Sequence, residues 1–157
     1  VEENVRYLQV LRPEWGLSPG DRWIFVENAK AAARVIPRTA RVFLATGAQT
    51  LNDFAEVSAE WIYCRQIDPP TAPFPFHTGE YVIGRPPFSQ AAEAALFSRL
   101  GITHLVVKNA GGAASRTKLD AARALGICVV MLARPPQPAD VSRVETVEAA
   151  LAWVAGL

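Results

Sequence analysis

The chain has 157 residues, half of them apolar, and a formal charge of +1. That length and apolar share suit one compact domain with a substantial core and leave no room for a second complete one. Near-neutral charge excludes a global attraction to nucleic acid or an anionic membrane surface, and no apolar run approaches the roughly 20 residues needed to cross a bilayer. Arginine outnumbers lysine 13 to 3. The excess offers planar forks for carboxylates and phosphates, although a GC-rich genome produces the same bias. Cys64 and Cys128 lie in apolar runs with no CxxC pair and no nearby histidine. Buried thiols in a reducing, cytoplasmic, soluble protein are expected, and no metal site.

Taken in order, the chain opens without an initiator Met on a polar segment, then the strand-like run Arg6 to Arg12, closed by Pro13. This resembles the end of a preceding unit. Gly20-Asp21 marks a turn before the strand Trp23 to Val26; Asn28 can cap a helix that Pro37 stops. Arg41 to Ala45 is a strand, and Thr46 with Gln49 forms a capping-box pattern for a following helix, Gly47 making the turn between. Trp61 to Ile67 is the next strand. Pro69, Pro70, Pro73 and Pro75, interleaved with Phe74, Phe76 and His77, exclude helix and central strand. An aromatic loop of this kind is either a lid or substrate wall, or a connector packing its rings onto the core.

Glu80 to Gly84 resumes the strand pattern. Ser89 caps a helix with Ala92, Leu96 and Leu100 on one face, ended by Gly101. The run from His104 to Gly112 follows, a buried strand that delivers Lys108, Asn109, Gly111 and Gly112 to its carboxyl end. A helix from about Ser115 to Leu125 turns Leu119, Ala122 and Leu125 inward, and Ile127 to Ala133 is another apolar strand. Ser142 with Glu145 forms a second capping-box pattern before a last helix with a stripe of Val144, Val147, Leu151 and Val154. Short strands alternating with helices predict a three-layer α/β fold around a doubly wound, mostly parallel sheet.

Three strand-like runs end in Arg-Pro, at Arg12, Arg85 and Arg134, and a fourth ends at Lys108-Asn109. Carboxyl ends of parallel strands share one edge, so these cations are expected to converge on a crevice suited to a polyanion. Glycines there let backbone N–H groups approach a phosphate; equally, they can serve only a tight turn. GxSxG, GxxxxGK[ST] and GxGxxG are all absent. Asp53 and Glu56 fall on a helix surface and are expected to be solvated. From the residues alone the reading stops at an α/β domain with an anion-attracting edge, without a reaction.

The ordered motifs LRPEW, FLATGAQ, GRPPF, LVVKNAGG with downstream Lys118 and AARALG, and VVMLARPPQP resemble the C-terminal half of the precorrin-6A reductase family, from about Tyr7 to the last helix. GAQ and RPP stand where many members have GRQ and RGP. The resemblance implies a Rossmann-like or flavodoxin-like domain at residues 13–157, with residues 1–12 continuing from an N-terminal half that carries a GGT-type turn. It implies NADPH as cofactor and precorrin-6A as substrate, with the N-terminal half as partner and neither nucleic acid nor membrane involved. Thr46, Gly47, Gln49, Lys108, Asn109, Gly111 and Gly112 are the cofactor-binding candidates it implies. Arg85, Phe88, Lys118 and Arg134 are the substrate-binding ones. The chemistry suits both ligands, since pyrophosphate, 2′-phosphate and a rim of carboxylates all reward Arg, Lys and exposed N–H groups. No proton donor is identified. The alternative function class is a non-catalytic α/β module that binds an anionic ligand or docks a partner domain.

Overall fold

The computed structural model describes residues 6–113 and 115–156. Its strands are β1 (Leu8–Val10), β2 (Trp23–Val26), β3 (Arg41–Leu44), β4 (Trp61–Gln66), β5 (Gly79–Ile83), β6 (His104–Lys108), β7 (Cys128–Leu132) and β8 (Ser142–Val144). Its α-helices are α1 (Ala29–Val35), α2 (Gln90–Leu100), α3 (Thr117–Leu125) and α4 (Val147–Ala155). Six strands form one parallel sheet in the order β2-β7-β6-β3-β4-β5. The expected three-layer α/β architecture is what the sequence adopts.

Side chains alternate across a strand, so a strand apolar at every position needs cover on both faces. Val42, Leu44, Ile62, Cys64, Val106, Val130 and Leu132 point to one face, where α1 and the segment Ala48–Phe54 supply Ala32, Ile36, Leu51 and Phe54. Phe43, Tyr63, Leu105, Val107, Val129 and Met131 point to the other, covered by α2 and α3 through Phe97, Leu119 and Ala122. Asn28 caps α1 as expected, its side chain accepting from the Ala31 N–H at 2.9 Å. Ser89 does the same for α2 at 3.1 Å.

Several local expectations are corrected. Ala48–Phe54 is a 3-10 helix rather than an α-helix, and Thr46 caps nothing. Residues at i and i+3 eclipse in a 3-10 turn, which places Leu51 and Phe54 together in the core, while Thr50, Asn52 and Asp53 compete for backbone partners and weaken an α-helix. Ser142 opens β8 instead of capping, and Thr146 caps α4 by accepting from Ala149. Leu125 and Ala92 are exposed, and the residues α2 buries most deeply are Glu93 and Phe97. Phe74 and Phe76 pack edge-to-face on each other and against the core beside Tyr81, so the loop aromatics anchor the loop.

β1 and β8 form a separate two-stranded parallel sheet, with α4 against them. Residues 1–5 of the expected opening segment lie outside the described residues. The stripe on α4 faces solvent: Val147, Leu151 and Val154 are 63 %, 65 % and 56 % exposed, and α4 buries none of its residues. Among the described residues, no helix is long and apolar enough to cross a membrane.

Of the two thiols, Cys64 is fully buried and Cys128 only partly. Burial pushes the Cys64 thiol up to about 11, which leaves about one thiolate in a thousand at pH 8. Cys64 is therefore expected to stay unmodified by an aromatic disulfide reagent in native protein at pH 8 and to react at once in urea. Stoichiometric native labelling at Cys64, located by peptide mass, would show that β4 opens.

Candidate functional site

The chain runs outward from β3 through β4 to β5, then α2 carries it back to β6 on the opposite side of β3. The connections leaving β3 and β6 therefore diverge, and a crevice opens above their carboxyl ends. In doubly wound sheets this switch point is where ligands bind. Here it forms a cleft of about 540 Å³, walled by Gly47 and Gln49 after β3, Arg65 on β4, Phe88 before α2, Glu93 on α2 and Lys118 on α3, with Pro69, Pro70 and Thr71 on the outer side.

The floor follows from strand phase. Arg65 lies two residues beyond Tyr63, so it points to the α2 face of the sheet at the strand's end. There its two Nη groups donate to the Glu93 carboxylate at 2.7 and 2.8 Å in a bidentate pair. Its guanidinium lies 4.1 Å from the Phe88 ring centroid and 4.8 Å from that of Phe43, a sandwich of cation and π faces. Both groups are nearly dry, with the Arg65 side chain 11 % and the Glu93 side chain 1 % exposed. Among the described residues, Arg65 Nε has no hydrogen-bond partner, and neither has the buried Thr46 hydroxyl beside the cleft.

Lys118 stands on the first turn of α3 and donates to the Ser115 carbonyl at 3.1 Å. Burial, first, and the nearby Arg65 cation lower its pKa, while the Glu93 carboxylate pulls the other way. Gly47 adopts φ +87° with open space where a Cβ would stand. The 3-10 helix begins immediately after it, and helix starts leave N–H groups without internal acceptors. Two cations, Arg65 and Lys118, and two carboxylates, Glu93 and Asp68, line the cleft. Glu93 is held by Arg65, and Asp68 is paired with Arg85 at the rim. With the helix start and a Phe88 and proline wall, the arrangement suits a ligand with a flat apolar part and anionic groups.

The structure brings Gly47, Gln49, Phe88 and Lys118 into this cleft and places Thr46 at its border. It places the other candidates elsewhere. The Asn109 side chain accepts from the Trp15 backbone N–H at 2.8 Å, Trp15 Nε1 donates to the Gly112 carbonyl at 2.8 Å, and Arg134 Nε donates to the Asn109 carbonyl at 2.6 Å. Arg12 packs on Gly112 and Pro13 on Gly111. The turn after β6 is thus clasped by residues 12–15 and by Arg134. Lys108 is exposed. Arg85 is exposed at the rim of the cleft, between the lining residues Gly84 and Pro86, and pairs with the lining residue Asp68 at 3.1 Å.

The expected convergence of four strand-end cations does not occur. β5 and β7 are four strand intervals apart, about 19 Å at the usual inter-strand spacing, so Arg85 and Arg134 cannot share a ligand atom. Sequence reasoning missed Arg65 and Glu93, the two most buried charges of the cleft. Glu93 stood inside a helix whose apolar spacing drew attention to Ala92 and Leu96. The available signal was an arginine in strand phase with core residues.

The fold and its switch-point cleft define a Rossmann-like α/β protein with an open cleft at the carboxyl edge of its sheet. Residues 1–155 match the family described as Precorrin-6x reductase CbiJ/CobK, and the chain belongs to that family. It is 43 % identical over 147 residues to a Precorrin-6A reductase of Rhodococcus erythropolis, covering 93 % of this chain and 59 % of that protein. Against the Precorrin-6A reductase of Rhodobacter capsulatus the identity is 41 % over 146 residues, 92 % of this chain and 57 % of the relative. A solved structure of CobK precorrin-6A reductase superposes with a TM-score of 0.89 at 40 % identity, over 94 % of this chain and 60 % of that one. The chain thus spans about 60 % of the length of these relatives.

Proposed function

We propose that this chain is the C-terminal portion of a cytoplasmic, NADPH-dependent precorrin-6A reductase, an oxidoreductase that reduces one double bond of the precorrin macrocycle in cobalamin biosynthesis. The observation that carries the reading is the switch-point cleft floored by the nearly dry Arg65–Glu93 pair and edged by Lys118, in a chain with more than 40 % identity to two reductases of that name. NADPH, when bound, supplies the hydride. Gly47, Gln49, the adjoining helix start and the unpartnered Thr46 hydroxyl are suited to its phosphates. Phe88 is suited to stack on a flat ring, and Lys118 to meet the substrate at that ring's edge. Asn109, Gly111, Gly112 and Arg134 set the shape of the turn behind the cleft, while the exposed Lys108 and Arg85 serve ligand groups that extend beyond it.

In this reading the remainder of the full-length protein docks on β1, β8 and α4. Two strands alone are marginal in water, and an apolar stripe like that of α4 calls for cover. Calorimetric titration of the chain with NADPH at low and moderate salt tests the cofactor assignment. Micromolar binding that weakens with salt, and weakens further in Gln49→Ala, is the expected result. Absence of binding would move the cofactor phosphates to the remainder of the full-length protein, and binding indifferent to Gln49→Ala would move them away from the turn after β3.

A further inference from the structure

Reduction by hydride leaves one atom of the substrate double bond in need of a proton. Four titratable side chains line the cleft: Arg65, Asp68, Glu93 and Lys118. A guanidinium is a poor acid by its nature. Both Glu93 oxygens accept from Arg65, so neither is turned to the cleft as a donor. Asp68 is an exposed carboxylate at the rim, 81 % exposed and paired with Arg85. Among the described residues, Lys118 is the titratable side chain of the lining that is left free to donate. One of its N–H groups is engaged by Ser115, and an ammonium has three.

From this elimination we propose, resting on the reductase reading, that Lys118 is the proton donor of the reaction. NADPH, when bound, would supply a hydride, with both electrons, to one atom of the substrate double bond and would leave oxidised. Lys118 Nζ gives its proton to the π pair of that bond at the neighbouring atom. The neutral Lys118 amine then regains a proton from water through the open side of the cleft.

The surroundings tune the group for this work. Arg65 on β4 disfavours the ammonium and Glu93 on α2 favours it, while burial, the largest influence, eases proton release. Neighbouring Asp120 on α3 is engaged by Arg116 and Arg123 and faces those arginines. An acid with a pKa brought down toward working pH transfers its proton more readily than an ordinary lysine.

Two measurements test the assignment. With only three lysines in the chain, ¹³Cε spectra resolve each, and Lys118→Arg identifies the resonance of interest. Lys118 is expected to titrate below Lys30, whose side chain is 67 % exposed; titration together with Lys30 overturns the proposal. In the full-length enzyme, Lys118→Arg keeps the positive charge but cannot serve as the acid. A fall in kcat of about a hundredfold or more is expected, with KM within a few-fold and loss of the alkaline limb of the kcat profile. Unchanged kcat with raised KM would make Lys118 a carboxylate clamp and overturn the donor role alone. Wild-type enzyme that leaves NADPH unoxidised beside precorrin-6A would overturn the reductase reading and the donor role with it.

Discussion

Glu93→Leu is expected to lower folding stability by about 3–5 kcal/mol, the loss typical when one partner of a buried ion pair is removed. The Arg65 guanidinium would keep its place between Phe43 and Phe88 but lose both bidentate bonds in a site with little water. The penalty is mostly the unpaired charge that remains. Urea unfolding should show a lower midpoint with an unchanged slope. A loss under about 1 kcal/mol would mean that water entering the cleft solvates Arg65 as it would a surface cation. The double substitution Arg65→Met with Glu93→Leu should recover most of the stability, because a matched apolar pair removes the buried charge altogether. It should also remove the cleft's fixed cation. Native stability with lost ligand binding is therefore the expected signature of the double variant, and it separates what the pair does for the fold from what it does for the site.

Gly111→Ala is expected to cost about 3 kcal/mol or more, from two sources that a control can separate. Gly111 sits at φ +69°, where an L side chain costs roughly 1–2 kcal/mol. A Cβ there would also stand 2.0 Å from the Pro13 carbonyl oxygen and 2.8 Å from Arg134 Nη2. Relief requires the backbone of residues 12–15 to retreat, and that strains the bonds from Trp15 to Asn109 and Gly112. Gly126 has a matching φ of +67° with nothing within 4 Å, so Gly126→Ala should show the backbone cost alone, roughly 1–2 kcal/mol. Equal unfolding midpoints for the two variants would mean that the clasp yields freely. A clear gap would mean that Gly111 is required by close approach as well as by conformation.

The two variants bear on how the GG of LVVKNAGG is understood. Read along the chain, two glycines after a buried strand fit a phosphate seat or a tight turn equally well. Pro13, Trp15 and Arg134 decide between them, and their approach depends on a contact across nearly a hundred residues between the opening segment and β6. A local pattern carries no record of such a contact. The same limit explains Glu93. Helical periodicity finds apolar faces, and a carboxylate drawn inward by an arginine from another strand falls outside that pattern.

What the sequence determined by itself is the α/β layering. Runs such as Phe43-Leu44, Leu105-Val106-Val107 and Val129-Val130-Met131 are apolar at consecutive positions, so both faces of their sheet had to be covered, and the intervening caps and glycines set where most of the covering helices begin and end. The ordered motifs likewise carried the family. Strand order was left to the tertiary structure, because parallel strands joined by long crossovers can be arranged in many ways with the same local pattern. That order seats β6 beside β3, opens the cleft between their diverging connections, sends Arg85 and Arg134 to distant places, and brings Arg65, Glu93 and Lys118 together from three separate elements. Sites of this kind are set by which strand ends become neighbours, and that is decided by packing the whole sheet at once.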